Sequence, residues 1–476
     1  MQNVKRYLPL IFPLVLSVVS CAPSAPETLT TLNIGDDVAL LNGVKVDNSK
    51  VLFDDFTNGV SYDNWIIANG FWGQGNGGVI SDNVFYTEEG ELLLRGNGLY
   101  YAKEEVKGVG MLKDGRNTGA ALISKFLCGP GRYEVKMKPL GRQGACTAFW
   151  TFSNQPVEGQ ENDNHEIDIE LPGGKEEGVI SFKNLLNTNY ITETYMHSQD
   201  KSTTVTGEQI ILNDGEYHTF GFDWYTNPGY IVYYLDGKVT SVSDHFIPSL
   251  QTRLWLGVWF PNNAGFVGQS YFETDYLTVD WVKYAPFDST QLFTPFTPGL
   301  TVSALQENLY PSVPTVAPEI NYVANGDFEY IRTKENINDF GWVYNRLNTE
   351  ELPVSEVCYP ENGSGYQGSA GAVIKHGGYL TQDIDSIYEG FKNKITFNAK
   401  TDGDDSTVLV SYFDPISTRP IKEEYINIAK GDFEKYEYVT TAPEGAHYMR
   451  LEIYNTTPGS LTTMHVDNFK VVRVND

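Results

Sequence analysis

The sequence predicts an all-β protein built from two β-sandwiches in series. Three observations carry this. Runs such as ELLLRG, RYEVKMKP, IVYYLDGKV and YLTVDWVKY alternate with a period of two, which sends successive side chains to opposite faces of a strand. Gly, Asn, Asp and Pro interrupt these runs at turn positions. No segment carries a convincing amphipathic-helix spacing.

The 476 residues are enough for more than one substantial core. Residues 1–20 read as a signal peptide: Lys5 and Arg6 precede an apolar run from Leu8 to Val19 that Pro9 and Pro13 interrupt and that is short for a membrane span. The chain is therefore expected to be exported. VVSC, ending at Cys21, resembles a bacterial lipobox, which implies a lipidated residue at Cys21, a membrane contact through that lipid and a place in the bacterial cell envelope. Residues 21–48, with Pro23, Pro26 and several Thr, read as a tether. Alternation fills residues 49–287 and lapses over 288–319, where Pro295, Pro298, Pro311 and Pro314 stand among Ser and Thr as in an extended linker. It resumes in KITFNAK, STVLVSYF and MRLEIYN, so residues 320–476 form the second unit.

Lys and Arg number 34 against 61 Asp and Glu, a net charge of -27 that disfavours nucleic acid and leaves neutral or cationic partners. The oligomeric state is open. Cys128, Cys146 and Cys358 remain after Cys21, an odd number, with no CxxC pair. A Cys128–Cys146 bridge stays open. Of the eight Trp only Trp342 lies beyond the linker, and because indole faces stack on sugar rings this places a sugar-handling site in the first unit.

The most informative segment is DNHEIDIELPGG. In a strand Glu166, Asp168 and Glu170 share one face while Ile167 and Ile169 point into a core. Like charges side by side raise each other's proton affinity and destabilise the fold. Glycosidic hydrolysis justifies such a cluster: one carboxylate attacks the anomeric carbon and one carboxylic acid protonates the leaving oxygen. The rival readings are a solvated acidic face and a calcium site. His165 faces the other way and is expected to pack; His218 is expected to be structural.

EIDIE resembles the signature of glycoside hydrolase family 16. The similarity runs over about 235 residues, from VLFDDF near Val51 to VDWVKYAPF ending at Phe287, through GRYEVKMKPLGRQGACTAFWTF and DGEYHTFGFDWYTNPGYIVYYLDGKV. The resemblance implies a curved, concanavalin A-like β-jelly-roll sandwich and retaining, endo-acting hydrolysis. It assigns Glu166 as nucleophile, Asp168 as assistant and Glu170 as acid/base, with no cofactor for catalysis. It implies a neutral polysaccharide as substrate, β-1,3- or mixed β-1,3/1,4-glucan. Gly174 departs from the pattern, since a larger or basic residue is common there. Transglycosylation, galactan cleavage and a non-catalytic glycan-binding lipoprotein are the alternatives.

By the same resemblance Trp150, Asn187, Asn189, Tyr190, Trp255 and Trp259 line the substrate site, and Asp280 matches a structural calcium position. The second unit, opening with NYVANGDFEY and closing with HVDNFKVV, resembles the galactose-binding-like sandwiches of family 4 and 9 carbohydrate-binding modules. That likeness implies glycan binding, with Tyr322, Tyr366 or Tyr379 stacking on the glycan, and calcium at Asp327, Glu329 and Asp467.

Overall fold

A computed structural model describes residues 32–70, 75–101, 117–155, 163–173, 185–191, 195–200, 212, 214–295, 319–329, 341–347, 352–385, 387–414, 417–456 and 462–474. The leader, Cys21 and Gly174 lie outside the described residues.

The first unit opens with β1 (Leu52–Asp54), β2 (Trp65–Ile67), β3 (Gly78–Val79), β4 (Val84–Tyr86), β5 (Leu92–Asn97) and β6 (Thr118–Ser124). It continues with β7 (Gly131–Lys138), β8 (Cys146–Gln155), β9 (Asp163–Pro172), β10 (Leu186–Ile191) and β11 (Tyr195–Asp200). It closes with β12 (His218–Thr226), β13 (Gly229–Leu235), β14 (Lys238–Ser243), β15 (Arg253–Trp259) and β16 (Thr274–Pro286). One layer runs β11-β10-β9-β8-β15-β6 and the other β5-β16-β7-β12-β13-β14, joined where Asn97 of β5 pairs Thr118 of β6.

Strand parity decides what each layer buries. From the first layer Ile167, Ile169, Leu171, Phe149, Leu254 and Leu256 enter the core, and from the second Tyr133, Val135, Met137, Phe220, Phe222 and Val279 meet them. Burying one such side chain contributes about 1.5–3 kcal/mol. Tyr133 stacks on Phe222 at 4.6 Å. Trp65 and Trp224 are also wholly buried, so these two tryptophans belong to the core.

The segment expected as a tether is packed from Leu32 onward. Leu41 is buried with Tyr225, Val232, Val239 and Phe287 on the outside of the second layer. Asp37 bridges to Lys238 and Val46 to Phe287 in β-type pairs. Beneath this cover Arg132 grips Asp223 with two bonds of 2.7 Å. His218 is held between Asp214 and Asp236, whose carboxylates outweigh burial and push its pKa up to about 10. It is structural, as expected.

The second unit contains β17 (Val343–Arg346), β18 (Cys358–Glu361), β19 (Gly371–Lys375), β20 (Gly378–Asp385) and β21 (Lys392–Thr401). It ends with β22 (Ser406–Phe413), β23 (Lys422–Ile428), β24 (Gly431–Thr441), β25 (Tyr448–Asn455) and β26 (Thr463–Arg473). Two antiparallel sheets, β17-β20-β25-β22-β23 and β18-β19-β26-β21-β24, enclose a core in which Trp342 meets Phe328 and Phe469 at 5.4 Å each.

The second sandwich rests on the first. Arg142, 4% exposed at its side chain, bonds Asp275 of its own unit at 3.0 Å and Asp385 of the other, with the Tyr322 ring 5.0 Å away. At Gly215 a Cβ would lie 2.5 Å from Tyr388. Cys128, Cys146 and Cys358 are free and buried, so Cys128 and Cys146 are not bridged.

Candidate active site

β9 runs antiparallel between β8 and β10. Its outward row is Asn164, Glu166, Asp168 and Glu170. Glu166 stands opposite Phe152 and Tyr190, Asp168 opposite Trp150 and Thr188, and Glu170 opposite Ala148 and Leu186. The two Ile between the acids anchor the strand in the core, so the acidic row cannot rotate inward without losing both. Gly173 ends the strand against the neighbouring loop: a Cβ there would lie 2.0 Å from the Arg142 carbonyl oxygen.

The three carboxyl groups differ in surroundings. Glu166 and Glu170 are half-buried, while Asp168 is 6% exposed. Asn164 Nδ2 donates to Glu166 Oε2 at 3.0 Å, and the Tyr190 hydroxyl donates to the same oxygen. Burial raises the Glu166 pKa, while the Tyr190, Asn164 and Asp168 hydrogen bonds oppose that rise. Asp168 is driven well above the carboxylate range by burial and by the charges of Glu166 and Glu170, and it shares a hydrogen bond with Glu166. Glu170 is pushed up to about 7, first by burial and then by the Glu166 charge. Among the described residues the donor that reaches it is the Cys146 thiol, Sγ 3.9 Å from Oε1. Burial and the Glu170 charge keep that thiol protonated. The three groups are coupled, so their protons come off as a unit, and all three are shifted upward.

The aromatic residues lie beside this row. Trp255 pairs with Trp150, and their rings stack at 5.4 Å and 25°. Both are largely buried, in a small apolar cluster on the outer face with Ala121, Ile123 and Ala148. Trp259, opposite Cys146, is half-buried and the most accessible of the three.

Asn187 and Asn189 correct the sequence reading. They pair with Ile169 and Ile167, and so face the interior. Asn187 Nδ2 donates to Ser241 Oγ at 2.9 Å, and Asn189 Nδ2 to the carbonyls of His245 and Phe246. They tie the acidic layer to the layer behind it. His165 is packed as expected, its Nδ1 accepting the backbone N–H groups of Ser249 and Leu250.

The calcium assignments are not supported by what the carboxylates touch. Asp280 pairs with Lys136 at 2.7 Å, a cation where a calcium ion would need an open set of oxygens. Asp467 accepts from the Tyr366 and Asn468 backbone and from Ser369 Oγ, while Glu329 accepts from the Ala370 N–H. Asp327 lies near enough to raise the Asp467 pKa, after burial, yet its Oδ1 accepts from the Glu329 N–H. Among the described residues no group of three or more His, Cys, Asp or Glu is arranged to hold a metal ion.

Sequence reasoning missed Asn164 and Cys146. Parity alone places Asn164 on the acidic face. Cys146 needs the strand register.

An all-β sandwich in which β9 presents three carboxyls on one face, two of them glutamates in unequal surroundings, has the equipment of a glycoside hydrolase. The family description "Glycosyl hydrolases family 16" matches residues 83–283. A beta-glucanase of Paenibacillus macerans is 30% identical over 232 residues, covering 46% of this chain and 82% of that protein. A beta-glucanase of Paenibacillus polymyxa is 33% identical over 177 residues, 34% of this chain and 65% of that one. A solved beta-1,3-1,4-glucanase (lichenase) from a mouse hindgut metagenome aligns over 50% of this chain and 99% of its own, at 21% identity and a TM-score of 0.38. The chain belongs to glycosyl hydrolase family 16, and it is a glycoside hydrolase.

Proposed function

We propose that the chain is a retaining endo-β-glucanase that cleaves β-1,3- or mixed β-1,3/1,4-glucan. Glu166 attacks the anomeric carbon and forms a glycosyl-enzyme. Glu170 protonates the leaving oxygen and then deprotonates the water that releases the sugar. Asp168 keeps its proton and hydrogen-bonds Glu166.

The observation that carries this reading is the unequal treatment of two glutamates on one face. Glu166 receives two donors on one oxygen, which favours its charged form. Glu170 is pushed up to about 7 by burial and then by the Glu166 charge, with only one weak donor, the Cys146 thiol, opposing the rise. The relatives' printed activity supports the substrate class, and the net charge of -27 suits a neutral polymer.

The test is reducing-sugar release from laminarin, barley glucan, lichenan, xyloglucan and agar, with proton NMR of the first anomer formed. Release from a β-glucan with the β-anomer first is expected. An α-anomer first, or activity on agar alone, would overturn the reading.

A pH consequence follows. The acid must be protonated, so kcat/KM falls as pH rises through about 7. Cys146→Val removes a donor that favours the Glu170 carboxylate, and this limb moves up by a few tenths of a unit. Cys146→Ser supplies a stronger donor and moves it down. Limbs of equal position in both variants would refute the role of the thiol.

The same reading includes export and lipidation at Cys21, supported by the leader and VVSC. Palmitate labelling that disappears in Cys21→Ser checks it. The second sandwich is proposed as a glycan-binding unit on its sequence likeness; affinity electrophoresis on glucan gels checks that.

A further inference from the structure

We propose that Asn164 is a positioning residue for Glu166, selecting which carboxylate oxygen attacks and holding that carboxylate ionised. This rests on Glu166 acting as nucleophile. Asn164 is 8% exposed, and its Nδ2 bonds Glu166 Oε2 at 3.0 Å. Tyr190 donates to that same oxygen from the neighbouring strand β10. Asn164 and Tyr190 both donate to Oε2 and neither bonds Oε1, the oxygen offered to the anomeric carbon, while Asp168 hydrogen-bonds the same carboxylate. They fix the rotation of the carboxylate as well as its charge.

The other end of the amide shows that this orientation is imposed. Asn164 Oδ1 is buried, and among the described residues no donor reaches it. Turning the amide over would present Oδ1 to a carboxylate, an acceptor against an acceptor. Glu166 thus holds the amide in place while a buried acceptor goes bare, an arrangement that costs fold stability. A local rule broken beside a reactive group marks a side chain placed for chemistry.

The full-length chain with Asn164→Ala, Asn164→Asp and Tyr190→Phe tests this on an aryl β-glucoside oligosaccharide. Asn164→Ala is expected to lose about 10- to 100-fold in kcat, the weight of one hydrogen bond to a charged group, with KM changed less than about 2-fold. A donor to the charged form lowers its pKa, so its removal shifts the acidic limb of kcat/KM upward by about half a unit to one unit. The melting temperature stays level or rises, because the bare carbonyl is gone. Asn164→Asp keeps the shape, loses the donor and adds a like charge, so its acidic limb moves higher still. Tyr190→Phe moves the limb in the same direction.

Wild-type kcat with an unmoved limb in both Asn164 variants would overturn the inference. So would a fallen melting temperature with an unmoved limb, the outcome of a merely structural role. Labelling by a 2-deoxy-2-fluoro glycoside, mapped by peptide mass, separates the two levels. Label on Glu166 with silent Asn164 variants overturns this inference and spares the assignment of the nucleophile. Label on another residue overturns that assignment and this inference with it.

Discussion

Glu170→Ala is expected to lose about 10²–10⁴-fold in kcat on a β-glucan, and little in the first step on a dinitrophenyl glycoside. A sugar leaving group needs a proton on its oxygen as the bond breaks, whereas a dinitrophenolate leaves unaided. The glycosyl-enzyme on Glu166 then accumulates, because water has lost its base. A burst of phenolate followed by slow turnover is the expected trace. Azide needs no deprotonation, so it restores turnover and yields the β-glycosyl azide. The alkaline limb near pH 7 disappears in this variant, since the group that titrates there is gone. Glu166→Gln behaves otherwise: both substrates fail, no burst forms, and azide on the opposite face yields the α-product. If Glu170→Ala lost equally on both substrates and azide restored nothing, the assignment of acid and base would fall.

The parts of this site that the sequence displayed are those written into one strand. The period of two in EIDIE puts the acids on one face and the isoleucines on the other, and the register confirms that geometry residue by residue. The same rule shows why Asn187 and Asn189 had to part from Tyr190: odd and even positions on one strand cannot share a face. The family likeness located the strand correctly and obscured its parity. Cys146 stands 24 residues from Glu170 and meets it only because β8 and β9 pair in a particular register. Tryptophan count was a blunt guide, since Trp65, Trp224 and Trp342 fill cores. Composition described a tether and a linker, but apolar residues such as Leu41 gave the first a surface to cover. For the second unit, the decisive contact joins residues 243 apart in the chain.

That contact gives the largest stability effect. Arg142→Met is expected to destabilise the protein by about 3–5 kcal/mol, the usual result of removing one partner from a buried ion pair. Two carboxylates depend on this guanidinium, Asp275 at 3.0 Å and Asp385 across the boundary between the sandwiches. Burial already raises the Asp275 pKa, and Arg142 is the main influence opposing that rise. Without the cation the two acids face each other largely out of water, so one takes up a proton or the sandwiches separate. Calorimetry should show the cost as a lower melting temperature, with the second unit unfolding in a transition of its own. Asp385→Asn in the Arg142→Met background removes one of the two stranded charges. It should recover part of the loss, and the double-mutant cycle then reports coupling of more than about 1 kcal/mol. An Arg142→Met protein melting within about 1 °C of wild type would mean the pair is not formed in solution. The Arg142 carbonyl also abuts Gly173 at the end of β9, so the loop that carries the ion pair borders the strand that carries Glu170. Loss of the pair should therefore lower kcat on short soluble oligosaccharides, a substrate on which a freely tethered binding unit has no influence.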